Sequence, residues 1–160
     1  MAVSLSLDRT DLRLLALLQQ DGRATNTDIA VQVSLSPSAC LRRIQRLEAA
    51  GIIRGYAALV DPKAVGLGLQ AFVRVQLEKH GQAGLDPFIE GVNHWDEVVA
   101  CHALTGDMDY LLHVVVQDLE HFSQFLLDKL INATGVADVN SSFVLRTVKQ
   151  TRALPLGHLA

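Results

Sequence analysis

The 160-residue sequence is short of several things that would announce a chemistry. It has only two cysteines, Cys40 and Cys101, too far apart for any short zinc or redox motif, so reduced core thiols are expected. Its longest apolar run, Val114-Val115-Val116 with Leu111 and Leu112 ahead of His113, falls far short of the roughly 20 residues of a membrane span. No basic stretch precedes an apolar one in Met1-Ala2-Val3-Ser4-Leu5, so no secretory signal is read and a cytoplasmic location is expected. There is no Gly-x-x-x-x-Gly-Lys loop for phosphates, and no nucleophile lies in a recognisable catalytic setting. Six histidines are present, at 80, 94, 102, 113, 121 and 158, but none of their spacings matches a ligand motif. Asp107 and Asp109 sit on a predicted hairpin tip, which offers little of the burial that paired catalytic carboxylates need. Neither an enzyme nor a bound cofactor or metal is expected.

What remains is ample core material and an uneven charge. Apolar residues make up 49% of the chain, enough for one domain of ordinary size or two small ones. The net charge of -3 divides unequally. Residues 1–60 carry seven Arg against five acids, a net of +2; residues 61–160 carry seven Lys or Arg against twelve, a net of -5. A basic front on an acidic body suits a chain whose first part meets a polyanion.

Three helical patterns fill the first 50 residues. Leu7-Asp8-Arg9-Thr10 opens the first, in which Leu12, Leu15 and Leu18 recur until Asp21-Gly22. Thr27 is read as the cap of a short second helix with Ile29, Ala30 and Val33 inward. After the tight connection Ser34-Leu35-Ser36, Ser36 caps a third helix with Pro37 at its first position, and Gly51 ends it. Unwrapped at about 100° per residue, this third helix places Cys40, Leu41, Ile44 and Leu47 on one arc. Ser38, Ala39, Arg42 and Arg46 lie opposite, with Arg43 and Gln45 flanking. A helix roughly 10–12 Å across fits the major groove of DNA, and arginine forks match guanine edges and phosphates. Such a face on a lone helix would be an ordinary solvated surface. The short preceding helix and tight turn supply the helix-turn-helix scaffold that changes the reading. Ser36, Ser38, Arg42, Arg43, Arg46 and Arg54 are the candidate DNA contacts. Ile52 to Val60 reads as a strand, either a small wing or a packed connection.

Asp61-Pro62 and Gly66-Leu67-Gly68 mark a linker over 61–68, between a first domain at 1–60 and a second at 69–150. Ala71, Val73, Val75 and Leu77 alternate with Phe72, Arg74, Gln76 and Glu78 in a strand. Asp86-Pro87 reads as the cap and first residue of a helix carrying Phe88, Ile89 and Val92. Val98 to Leu104 and Tyr110 to Val116 read as buried strands around a turn at Thr105-Gly106-Asp107-Met108-Asp109. Asp118 starts a helix with Leu119, Phe122, Leu126 and Leu130 on one face, and Val139 to Val148 is the last strand. The order is βαββαβ, a ferredoxin-like unit, which makes the chain α+β. Its helices cover one sheet face; the other, with Phe72, Phe143 or their neighbours, predicts at least a dimer. Residues 151–160 read as a tail or an oligomer contact.

The ordered set Leu7-Asp8-Arg9-Thr10-Asp11, Leu35-Ser36-Pro37-Ser38-Ala39-Cys40-Leu41-Arg42-Arg43, Leu47-Glu48, Gly51-Ile52-Ile53, Gly55-Tyr56-Ala57 and Thr105-Gly106-Asp107-Met108-Asp109-Tyr110-Leu111-Leu112 resembles the leucine-responsive/asparagine-responsive (Lrp/AsnC, feast–famine) family of transcription regulators. The likeness spans nearly the whole chain and, around Cys40, is nearer the leucine-responsive branch. It implies an N-terminal winged-helix-like helix-turn-helix and a C-terminal βαββαβ effector domain. It also implies dimers through the C-terminal sheets that often assemble into octamers, and DNA binding upstream of amino-acid metabolism genes. The effector is then a small amino acid, held between neighbouring dimers. By the same resemblance the effector site takes in Gly106, Asp107, Asp109 and Tyr110, with Ser142 and Val144 opposite. Ser142 departs from the aromatic residue that some leucine-responsive members carry.

The turn's chemistry suits a zwitterion. Asp109 or turn carbonyls can accept from an ammonium, and the N–H groups of Gly106 and Asp107 can donate to a carboxylate. Met108, Leu104 and Val144 favour an apolar side chain, hence leucine or methionine. The expectation is a DNA-binding, amino-acid-responsive regulator. The competing reading is an amino-acid-sensing or scaffolding module that acts through protein contacts, and steep salt dependence would distinguish DNA binding from it.

Overall fold

Asp8 fixes where the first helix begins. In the computed structural model, which describes residues 6–78 and 85–159, its carboxylate accepts from the Asp11 N–H at 2.8 Å. Its own N–H donates to the Asp11 carboxylate at 3.1 Å. This reciprocal box opens α1, Arg9–Gln20. The next helix, α2, Asn26–Gln32, is capped by Thr25, not Thr27: the Thr25 hydroxyl accepts from the Asp28 N–H, and Thr27 lies inside the helix. Ser36 caps α3, Pro37–Ala49, with Pro37 in the first turn where a missing N–H costs nothing. Gly51, at φ 70°, closes it while the Ile52 N–H reaches back to the Leu47 carbonyl.

These helices enclose Leu14, Ile29, Ala30, Val33, Cys40 and Ile44, with Leu17, Leu18, Ala24, Leu35 and Ile53 packed against them. Leu14 therefore takes the central place on α1, Leu15 and Leu18 are only half-buried, and Leu41 on α3 is 40% exposed. Past α3 the expected strand does not form. Residues 54–60 pair with no ladder among the described residues, and the Tyr56 hydroxyl instead donates to Glu48 at 3.0 Å. A largely apolar run cannot make a strand without a neighbouring backbone to bond.

The chain divides into two compact units, residues 1–59 with 149–160, and residues 60–148. The C-terminal residues belong to the first unit because the Gln19 amide brackets Leu154. Its oxygen accepts from the Leu154 N–H at 2.6 Å and its nitrogen donates to the Leu154 carbonyl at 3.3 Å. The stretch 61–68 is folded into the second unit, with a 3-10 turn at Lys63–Val65 and a bond from the Gly68 N–H to the Gln117 carbonyl.

The second unit runs β1 (Leu69–Leu77), α4 (Leu85–His94), β2 (Val98–Ala103), β3 (Tyr110–Val116), α5 (Leu119–Gln124) and β4 (Val136–Phe143). The antiparallel sheet has the order β2-β3-β1-β4, as a βαββαβ split unit requires. Ala71, Val73 and Val75 alternate inward on β1 and meet Leu112, Val114 and Val116 of β3 under Phe88, Phe122, Phe125 and Leu130. Asp86 and Pro87 both lie within helix α4, so Asp86 stands inside the helix and not ahead of it.

Several apolar residues lie elsewhere than their pattern suggested. Strand β2 is an edge strand, mostly exposed, and Cys101 on it is exposed while Cys40 is buried. Helix α5 continues as a π-helical turn, Phe125–Leu130, in which the Ile131 N–H bonds the Leu126 carbonyl five residues back. The extra residue turns Phe125 into the core, while Leu119 is 60% exposed. Strand β4 starts three residues before Val139 and stops at Phe143, leaving Leu145 and Val148 exposed. Because Phe143 pairs with Ala71 and meets the Phe122 ring edge-on at 4.9 Å, it lies on the helix side. Phe72 alone of the two faces away, stacked on His113 at 4.7 Å.

Candidate nucleic-acid interface and effector turn

Two of the three arginines on α3 are already engaged. One Arg43 nitrogen, Nη1, donates to Asp8 at 2.7 Å and to Asp11 at 2.8 Å, and Arg46 Nη2 donates to Asp11 at 2.6 Å. Asp11 has no exposed surface, and both of its oxygens are occupied by guanidinium donors. The Arg43 guanidinium is held more firmly protonated by its bonds to Asp8 and Asp11. The Asp8 carboxyl is held below its ordinary value first by the Asp11 N–H and then by Arg43. Charge-assisted bonds to a buried carboxylate are strong, and breaking one leaves a charge uncompensated.

Arg42 is exposed and makes no hydrogen bond or ion pair among the described residues. Ser36 and Ser38 are exposed at the helix start, with their hydroxyls 3.2 Å apart, and Ser36 is committed to the Ala39 N–H. Arg54 is exposed on the segment that follows. The sequence pattern drew all three arginines as one polar face. It did not show the buried Asp11, whose environment depends on residues 32 and 35 positions later.

The predicted effector turn is a hairpin closed by the Leu104 N–H on the Asp109 carbonyl at 2.8 Å. Gly106 has φ 115°, a conformation in which a side chain is strained, and open space lies where a Cβ would stand. The N–H groups of Gly106 and Asp107 make no hydrogen bond among the described residues, which leaves them as free donors. Met108 is half-buried, and the Tyr110 ring packs on Phe88 at 5.0 Å. Asp109 is bound at both ends of its residue. Its N–H donates to the Val75 carbonyl at 2.9 Å, and its Oδ2 accepts from the Leu77 N–H at 2.7 Å, which leaves Oδ1 without a partner among the described residues.

Ser142 and Val144 do not join this turn within one chain. Tyr110 pairs with Val75, whereas Ser142 pairs with Phe72 and Val144 bonds Gln70. Three residues along β1 and two strand spacings across put Ser142 roughly 14 Å from Tyr110, and Val144 farther still. Among the described residues no three His, Cys, Asp or Glu side chains cluster as metal ligands would. His80 lies outside the described residues.

Comparison with known proteins agrees with this two-part geometry. Residues 7–54 match the winged helix-turn-helix DNA-binding model, and residues 70–154 match the Lrp/AsnC ligand binding domain. The transcriptional regulator AzlB of Bacillus subtilis is 33% identical over 157 residues, covering 98% of this chain and 100% of the relative. The leucine-responsive regulatory protein of Escherichia coli is 37% identical, covering 92% of this chain and 90% of its own. Among solved structures, a transcriptional regulator from Neisseria meningitidis in complex with L-Met superposes with a TM-score of 0.94. It is 50% identical, over 97% of this chain and all of the other. No helix among the described residues is long and apolar enough to cross a membrane. This chain belongs to the Lrp/AsnC family of transcriptional regulators, pairing a helix-turn-helix domain for DNA with an α+β domain of the family's ligand-binding type.

Proposed function

We propose that the protein is a cytoplasmic regulator of amino-acid metabolism genes, not a catalyst, and that L-methionine or L-leucine modulates its binding to DNA. DNA contact falls to the exposed face of α3: Arg42 for base edges, Ser36 and Ser38 at the helix start, and Arg54 for the flanking backbone. Arg43 and Arg46 lend positive potential to this face while tied to α1. The observation that carries the DNA reading is the exposed, unpaired Arg42 on a capped helix that directly follows a short helix and turn.

The effector site takes the turn Gly106, Asp107, Met108, Asp109 and Tyr110 from one chain, with Ser142 and Val144 supplied by a neighbouring chain. The roughly 14 Å that separates the two groups within one chain supports that assignment. Free N–H donors at Gly106 and Asp107 suit the amino-acid carboxylate, and the second oxygen of Asp109, unpartnered among the described residues, suits the ammonium. Met108 and the half-exposed Leu104 suit an apolar side chain. A glutamate effector would bring a second carboxylate against Asp107 and Asp109. The methionine held by the Neisseria relative points the same way. The functional unit is a homodimer built on the open sheet face around Phe72 and His113, and dimers assemble to an octamer.

A melting scan against single amino acids tests the effector. A ligand at 100 times its Kd stabilises by about 2.7 kcal/mol, so methionine or leucine should raise Tm by several degrees and glutamate should not. Gly106→Val should abolish the shift. A protein whose Tm no amino acid moves would contradict the proposal.

A further inference from the structure

The buried carboxylate of Asp11 has no part in the helix-turn-helix reading beyond its place in the capping box, yet it is the most heavily engaged acid in the first unit. Its Oδ1 takes Arg43 Nη1 at 2.8 Å; its Oδ2 takes Arg46 Nη2 at 2.6 Å and the Asp8 N–H at 3.1 Å. Asp8, half-exposed, adds a further acceptor for the same Arg43 nitrogen at 2.7 Å. Arg43 and Arg46, on the helix proposed to face DNA, thus each commit one terminal nitrogen to the carboxylates of Asp8 and Asp11 at the start of α1.

A carboxylate and a phosphate offer a guanidinium the same pair of anionic oxygens. We propose that Asp11 is a specificity-setting positioning residue. Its carboxylate takes the place a phosphate would occupy on Arg43 and Arg46, holding both off the nucleic-acid backbone and leaving Arg42 as the free guanidinium of α3. The inference rests on α3 being the helix that meets DNA.

The consequence is a division of labour. Backbone phosphates dominate non-specific binding, because each phosphate neutralised releases counterions whatever the sequence. Base edges supply discrimination. A helix with three free arginines would hold any duplex tightly and discriminate poorly. With two of them bound to Asp11, the sequence-independent component is reduced while Arg42 keeps its reach. Asp11 also helps fix the direction of α3, because its two arginine bonds join the start of α1 to positions about one turn apart along α3.

The test is the salt dependence of binding to scrambled duplex DNA, measured by anisotropy with the full chain. Asp11→Asn keeps the size and an acceptor for the Asp8 N–H but removes the charge that holds the guanidiniums. It should raise affinity for scrambled DNA about five-fold per released contact near physiological salt and steepen the log K against log [salt] slope by about 0.9 per contact. The ratio of operator to scrambled affinity should fall. Asp28→Asn, at an exposed carboxylate that bonds Thr25 and neither arginine, changes the net charge by the same amount and should give a smaller gain; an equal gain would assign the effect to the lost charge alone and overturn the clamp. A merely structural Asp11 would weaken binding to both duplexes. Where Asp11→Asn fails to fold, Asp8→Asn releases one Arg43 contact from a half-exposed carboxylate and should give a smaller shift of the same sign. An unchanged or shallower slope would overturn the proposal. An Arg42→Gln variant with a wild-type slope and operator affinity would overturn the reading of α3 itself, and the clamp with it.

Discussion

The Leu77 backbone N–H donates to the Asp109 carboxylate at 2.7 Å, so a residue of the proposed effector turn also closes the end of strand β1. The same residue's N–H returns a bond to the Val75 carbonyl at 2.9 Å. Hairpin position and strand ending are therefore set together, and any ligand drawn to Asp109 meets a side chain already held in place.

Replacing Asp109 separates these two duties. Asp109→Ala should cost about 1–2 kcal/mol of stability through the lost bond to Leu77, leave DNA binding intact, and blunt the amino-acid response. Asp109→Asn keeps an acceptor for Leu77 and should recover most of the stability without recovering the response. Urea denaturation and effector titration of DNA binding check the two arms. A full response in both variants would remove Asp109 from the effector site.

Gly91 on α4 is held glycine by Trp95. A Cβ there would stand 2.9 Å from Trp95 Cζ2, closer than packed atoms tolerate. Gly91→Ala should destabilise the second unit by about 1–3 kcal/mol, against the modest gain in helix propensity that alanine brings elsewhere. Trp95 is the only tryptophan, so its fluorescence reports the displaced ring directly. An alanine variant as stable as wild type with an unmoved emission maximum would contradict this packing.

Glu97 gives the second unit an acid-sensitive joint. Burial pushes its carboxyl up, but the Lys129 ammonium at 2.7 Å, together with a backbone bond and His121 at 3.6 Å, outweighs burial and leaves it below the usual glutamate range. A lowered native value means the stabilisation is present in full above the ordinary glutamate value of about 4.3 and is lost as pH falls through the native one. Lys129 is partly exposed, which discounts the pair. Lys129→Met should therefore cost about 1–2 kcal/mol at neutral pH, and the difference from wild type should shrink between about pH 5 and pH 3. Denaturant unfolding across that range checks it; a pH-independent difference would exclude the ion pair as its origin.

The parts of the fold that were legible in the sequence are those written in local chemistry. Ser36-Pro37 before an amphipathic run and Gly51 after it specify α3 without reference to anything distant, and the alternation from Ala71 to Leu77 specifies β1 in the same way. What escaped is non-local. The run Val98 to Leu104 is as apolar as a central strand, yet only the sheet order makes it an edge. Phe143 and Phe72 look alike in sequence and are sorted to opposite faces by register against β1. Phe125 enters the core because a π turn breaks the 3.6-residue period that the spacing of Leu126 and Leu130 suggested. Asp11 reads as an ordinary first-turn acid until α3 brings two arginines onto it. The candidate site shows the same limit: Gly106 to Tyr110 is one contiguous turn, whereas its distance from Ser142 and Val144 follows only from strand pairing.

The most direct test of the account is anisotropy titration of labelled DNA from upstream of the protein's own gene against a scrambled duplex, at near-physiological salt, for wild type and Arg42→Ala. The account predicts wild-type affinity for the operator orders of magnitude above that for scrambled DNA. It also predicts a loss of about 1–3 kcal/mol in operator binding on Arg42→Ala, with scrambled binding changed less. Operator binding that Arg42→Ala leaves untouched, or that weakens equally on both duplexes, would contradict the claim that α3 reads sequence through Arg42.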